Sequence, residues 1–181
     1  MKEKRTLAVL VDNESGVLSQ VSRLFARKGF NIESLTVGTT DNPRVSRMTI
    51  EVNADDDQTV LLCNQLRKLL PVHSVKLLDT SNSIRRELVI IKAKTESQDA
   101  RDAIIQIANI FRASIIDASI GALTIAVIGD ESKTGALEKM VSETGILEII
   151  RTGVAAVERG LDTIYEDTKV KGEFNYGKNV L

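Results

Sequence analysis

Asp12-Asn13-Glu14-Ser15-Gly16-Val17-Leu18 combines amides, carboxylates and a glycine at the start of a helical pattern. That pattern stops at Gly29, and Asn31-Ile32 follow. The order reads as a strand, a sharp turn and a helix with an open N-terminus. A helix start leaves about four backbone N–H groups without intrahelical partners. Those groups and the helix dipole favour an anion. At Gly16 a Cβ would stand between ligand and backbone. Asn13 and Asn31 each carry a donor and an acceptor, so each can meet a carboxylate or an ammonium. Asn31 is expected at the start of the second strand, near the same end of the sheet as the turn. Asp12 and Glu14 would repel a carboxylate, so they are expected to face solvent or a ligand's ammonium. An amino acid with a small apolar side chain fits this mix. A phosphate site would bring Lys or Arg, and between Asp12 and Phe25 only Arg23 is basic. The same residues also suit a plain strand–helix turn with good capping, and spacing alone does not choose between the two.

Other chemistry-bearing residues point to structural roles. His73 alternates with Val75 and Leu77 and reads as a structural or half-exposed residue. Cys63 lies in a Leu-rich helix and reads as a small core residue. Asp55-Asp56-Asp57 suits a helix start better than a metal. Gly129 to Thr134 lacks the Gly-Lys pair of a P-loop, and Glu131 breaks a Gly-Asp-Gly thiamine-diphosphate motif. No H-E-x-x-H, C-x-x-C or G-x-S-x-G occurs in the chain.

The elements that must position these residues follow from apolar periodicity. Arg5–Val11 reads as a strand. Val17, Leu18, Val21, Leu24 and Phe25 are helically spaced, with Arg27 and Lys28 suited to the last turn and Gly29 to the stop. Strands are expected over Asn31–Thr39 and Val45–Val52, the latter with Met48, Ile50 and Val52 alternating with polar residues. A helix striped by Leu62, Leu66, Leu69 and Leu70 precedes a strand over Val72–Leu78. The pattern then repeats: strand Arg86–Ala93, helix Asp99–Asn109, strands Ser114–Ser119 and Ala122–Ile128, helix Ser132–Glu143, strand Ile146–Gly153. Both halves read βαββαβ. The fold class is therefore α+β, with two ferredoxin-like domains. Expected boundaries are a first domain over 1–79, a linker over 80–84, a second domain over 85–160 and a tail over 161–181. Beyond Gly160 the chain is mixed and charged and assigns to no element.

Bulk composition narrows the function classes. The 181 residues carry 24 basic and 25 acidic side chains, a net charge of −1, and give no electrostatic footprint for nucleic acid or anionic membrane. No apolar run approaches the ~18 residues of a membrane span. No charged-then-apolar signal segment opens the chain. One cysteine excludes an intramolecular disulfide and suggests a reducing, cytoplasmic setting. Base-stacking RNA platforms need aromatics on central strands, and the expected strands hold none. A stand-alone enzyme lacks a paired acid and base.

The turn Asp12 to Leu18, together with Gly29-Phe30-Asn31-Ile32-Glu33-Ser34-Leu35-Thr36-Val37 and Ser46-Arg47-Met48-Thr49-Ile50, resembles the regulatory (small) subunit of acetohydroxyacid synthase, also called acetolactate synthase. The first half is similar to its ACT domain. Ile149 to Gly160 resembles the end of that family's C-terminal domain. The resemblance implies a non-catalytic subunit that activates a thiamine-diphosphate-dependent catalytic subunit. It also implies feedback inhibition by valine in branched-chain amino acid biosynthesis. ACT-domain homodimers holding the amino acid at their interface are implied too. Carried over by matching residues, the effector positions are Asn13, Gly16 and Asn31, with the backbone of Val17 and Leu18 and the neighbouring Ile32 contributing. Thiamine diphosphate, magnesium and FAD are expected only in the catalytic partner. The setting implied is cytoplasm, or plastid stroma for a plant or algal source. The alternatives are another ACT-type amino-acid sensor or a nucleic-acid-binding ferredoxin-like module. The second half's equivalent turn, Lys94 to Gln98, has neither Gly nor Asn and predicts no second site of this design.

Overall fold

The computed structural model describes residues 2–167. Strand β1 (Glu3–Asp12) is followed by helix α1 (Val17–Lys28), strands β2 (Ile32–Thr39) and β3 (Val45–Ala54), helix α2 (Asp56–Arg67) and strand β4 (Val72–Leu78). The order repeats in β5 (Ser83–Thr95), α3 (Gln98–Phe111), β6 (Ser114–Ser119), β7 (Gly121–Gly129), α4 (Glu131–Ser142) and β8 (Ile146–Arg151). A short strand β9 (Ala155–Glu158) and a 3-10 turn (Ile164–Asp167) end the described chain. Both halves are thus βαββαβ. Two compact units form: one runs from the start through Ser83 and includes the residues from Ala156 onward, the other is Ile84–Ala155.

In the first unit the antiparallel sheet has the order β2-β3-β1-β4. Leu7, Val9 and Val11 of β1 alternate inward and pack with Val17, Val21, Leu24 and Phe25 of α1 and Leu62 and Leu66 of α2. Period 2 on the strand and the helical spacing on α1 together build this aliphatic core. The opposite face of β1 is also closed: Thr6, Ala8 and Leu10 are at most 1% exposed. Residues after Ala156 provide that cover, since the 3-10 turn packs against β1 and β4. The Ala156 carbonyl accepts from Arg47 Nη2 at 2.8 Å. The Ile164 carbonyl accepts from Ser74 Oγ at 2.9 Å. This segment was not assignable from sequence; residues 168–181 of the expected tail lie outside those described.

Helix α2 opens on a capping box. Asp55 Oδ1 accepts from the Gln58 N–H at 2.8 Å, and Gln58 Oε1 accepts from the Asp55 N–H at 3.2 Å. The Asp triplet thus starts a helix. Asp55→Ala is expected to remove about 1 kcal/mol of stability, seen as a lower urea midpoint of the full chain. An unchanged midpoint would show the box to be solvated away.

The stretch expected as a linker over 80–84 is shorter in the structure. The Ser81 N–H and hydroxyl both donate to Asp79 Oδ1 at 2.8 Å, closing a tight turn. These bonds from Ser81 hold the Asp79 carboxyl below its usual range. Strand β5 begins directly after, at Ser83.

In the second unit four strands run β6-β7-β5-β8. Val89, Ile91 and Ala93 of β5 and Leu123, Ile125 and Val127 of β7 pack against Ile104, Ala108, Leu137 and Val141 of the helices. Strand β8 stops at Arg151, two residues earlier than the alternation predicts. There the Thr152 Oγ1 accepts from the Leu88 N–H at 3.1 Å while the Thr152 N–H donates to the Leu88 carbonyl at 3.1 Å, so a side chain takes one of the two bonds of the pair.

Candidate effector site

Two backbone pins fix the end of β1. The Asp12 N–H donates to the Pro71 carbonyl and the Asn13 N–H to the Arg44 carbonyl, each at 2.8 Å. The chain then turns sharply into α1 through Gly16, whose φ of +86° lies in the left-handed region. L-residues reach that region only at a cost. A Cβ at Gly16 would have no atom within 4 Å, so the glycine serves its backbone conformation and leaves open space before the helix.

The N-terminus of α1 is unlike those of the other three helices. Asp55, Ser97 and Asp130 cap α2, α3 and α4 with side-chain oxygens. Helix α1 has no side-chain cap and no acidic residue in its first turn. The positive end of its dipole is therefore not neutralised locally, and its first amides remain suited to a carboxylate. Beside it, Leu18 is 44% exposed while Val17 is buried.

Asn13 is oriented by the β2–β3 turn. Its Nδ2 donates to the Pro43 carbonyl at 2.9 Å, and its Oδ1 accepts from Ser46 Oγ at 3.1 Å. One N–H and one lone pair of the amide remain for a ligand. Neither Pro43 nor Ser46 was among the site residues expected from sequence. The register that places Ser46 opposite both Val11 and Thr39 is what brings it there.

Asp12 corrects an expectation. Its carboxylate does not turn to solvent or ligand; Oδ1 meets His73 Nε2 at 2.7 Å, both side chains largely buried. His73 thus has a partner, and it ties β4 to the end of β1. Glu14 is exposed.

Asn31 corrects another. Arg5 and Ile32 both stand opposite Val52 of β3, so β1 and β2 run parallel and start at the same end of the sheet. The turn lies at the other end, about 25 Å along the strands at ~3.3 Å per residue. A helical crossover between parallel strands must begin and finish at opposite ends. Asn31 Nδ2 donates to Glu33 Oε1 at 2.9 Å, and Ile32 packs against the core. The candidate residues therefore form two groups: Asn13, Gly16, Val17 and Leu18 at one end, Asn31 and Ile32 at the other, beside edge strand β2.

The remaining candidates are structural. Burial pushes the Cys63 thiol up, away from the reactive thiolate. Asp130 caps α4 through the Lys133 N–H at 2.9 Å. In the second unit the turn before α3 is capped by Ser97, and Lys94 pairs with Glu96 at 2.8 Å. Among the described residues no cluster of His, Cys, Asp or Glu is arranged to hold a metal ion, and no helix is long and apolar enough to cross a membrane.

A β2-β3-β1-β4 sheet with two helices on one face and an open β1–α1 turn defines an ACT-type domain. The family model of the AHAS small subunit-like ACT domain matches residues 7–74, and that of the small subunit of acetolactate synthase matches residues 86–160. The acetolactate synthase small subunit of Mycobacterium leprae is 43% identical, covering 86% of this chain and 91% of that protein. That of Aquifex aeolicus is 40% identical, covering 92% and 86%. The crystal structure of the Thermotoga maritima small subunit superimposes with a TM-score of 0.82 at 36% identity, covering 87% of this chain and 98% of that one. The chain belongs to the acetolactate synthase small-subunit family.

Proposed function

We propose that this chain is a non-catalytic subunit that binds valine in its ACT domain and transmits that binding to a catalytic acetolactate synthase subunit. The catalytic partner would hold the thiamine diphosphate, magnesium and FAD, and both would work in the cytoplasm. The observation that carries the reading is the uncapped α1 N-terminus beside the oriented Asn13 amide. The helix end takes the valine carboxylate. The amides of Asn13 and Asn31 meet its polar groups, the backbone of Val17 and Leu18 contributes at the helix end, and Ile32 lies beside it.

The opposed ends of the sheet support a site shared by two protomers. β2 is an edge strand, with Val37 exposed on it. A two-fold axis that pairs β2 antiparallel with the partner's β2 sets the start of one strand beside the end of the other. Asn31 and Ile32 of one protomer then reach the end of the sheet that carries the other's Gly16 turn. Such isologous pairing also covers an edge that would otherwise stay open. Valine would favour one state of the holoenzyme. By reciprocity the catalytic partner's active state weakens valine binding equally, by about 1–3 kcal/mol in typical cases.

A mixed dimer tests the shared site. One protomer carries Gly16→Asp and the other Asn31→Ala, each with its own purification tag. If sites are shared, one of the two keeps both a wild-type turn and a wild-type Asn31. Calorimetry should then find one valine per dimer with wild-type affinity. If each site lies within one chain, both are broken and no valine binds.

A further inference from the structure

The open face of the first sheet is occupied by the chain itself, and its occupant touches the same turn that orients Asn13. Resting on the effector site proposed above, we propose that residues 156–165 are a clasp whose seating on this sheet is linked to effector occupancy through the β2–β3 turn. It is held at five residues by polar contacts from β3, β4 and the β2–β3 turn.

Arg47 of β3 donates to the Ala156 carbonyl. Lys76 of β4 pairs with Glu158 at 2.6 Å and donates to the Thr163 carbonyl at 3.1 Å. Ser74 donates to the Ile164 carbonyl, and Ile164 itself is buried. Tyr165 Oη donates to Asp41 Oδ1 at 3.3 Å, which reaches the β2–β3 turn directly. That seating desolvates Arg47 and lowers its pKa, while Tyr165 and Glu158 beside it act in the opposite direction.

The β2–β3 turn can carry the linkage because it is stiff. The Thr40 N–H donates to the Val45 carbonyl at 2.9 Å, and the Arg44 N–H to Asn42 Oδ1 at 3.0 Å. One side of the turn offers Pro43, Arg44 and Ser46 to Asn13. The other offers Asp41 and Arg47 to the clasp. A ligand that pulls on the Asn13 amide and a clasp that pulls on Asp41 and Arg47 thus act on one short segment. Two partners that both act on one stiff segment bias each other through it.

The test uses the full chain and valine itself. Hydrogen exchange of amides 156–165 is followed with and without saturating valine, and valine affinity is measured by calorimetry. In the wild type, valine should slow exchange in this segment at least about five-fold, the low end of usual couplings. Lys76→Met removes two of the contacts. It should speed exchange there and weaken valine binding by a matching factor, while circular dichroism stays native. Tyr165→Phe, at a half-exposed position, is the milder second variant and should shift both readouts in the same direction. Unchanged exchange on valine binding overturns the linkage. So does a Lys76→Met chain with a loosened segment and wild-type affinity. Failure of the wild type to bind valine at all is a distinct result: it removes the effector site, and the linkage with it.

Discussion

Gly16→Asp should abolish valine binding, with an affinity loss of at least about 100-fold, while dimers still form and the chain still folds. Three effects act together. The new carboxylate stands at the helix end that would otherwise receive the ligand's carboxylate, and like charges there repel. The side chain enters space that is empty of protein atoms. The φ of +86° asks an L-residue to adopt the left-handed region, costing about 1–2 kcal/mol. Gly16→Ala separates these effects, since it brings the strain without the charge. It should weaken valine binding by about ten-fold, short of abolition, if roughly 1.4 kcal/mol of strain is relieved when the turn relaxes out of its binding geometry. Calorimetry on both variants decides. Wild-type affinity in Gly16→Asp would sink the site.

Phe25→Ala should be the most damaging single substitution for the fold of the first unit, by about 3–5 kcal/mol. Phe25 is the buried aromatic of that core, 1% exposed, with Phe30 only partly buried against it, and it lies where α1 meets the sheet among Val17, Val21 and Leu24. Truncation leaves a cavity that aliphatic neighbours held by two strands and two helices cannot fill. Typical domains have only about 5–15 kcal/mol in total. The variant should therefore unfold at a markedly lower denaturant concentration and lose effector binding as α1 loosens. A shift under about 1 kcal/mol would mean that the core closes over the gap.

The short apolar run Arg5–Val11 and the helical spacing of Val21, Leu24 and Phe25 made the first strand and helix legible, because each is a local pattern. Gly29 likewise announced the helix stop, and the structure shows the Phe30 N–H donating back to the Phe25 carbonyl at 3.0 Å. What was not legible depends on residues far apart. The direction of β2 relative to β1 is set through β3, so faces were readable where ends were not, and Asn31 was placed at the wrong one. The partners of Asn13 come from thirty or more positions away, as does the partner of Asp12 across the sheet. The segment after Ala156 has no periodicity of its own. It takes shape through bonds to distant residues: the side chains of Arg47, Ser74 and Lys76 donate to it, and the Arg159 N–H donates to the Asn82 carbonyl.

With Asn31 and the Gly16 turn at opposite ends of one sheet, the proposed effector site is completed only between two protomers. A site assembled from two chains exists only to the extent that the chains have met. Under that proposal valine would stabilise the dimer by mass action, and the dimer would raise the apparent affinity for valine. On that arrangement the inhibitory threshold is no fixed constant of the polypeptide. It moves with the amount of subunit made, so a scarce subunit gives a sluggish brake and an abundant one a sensitive brake.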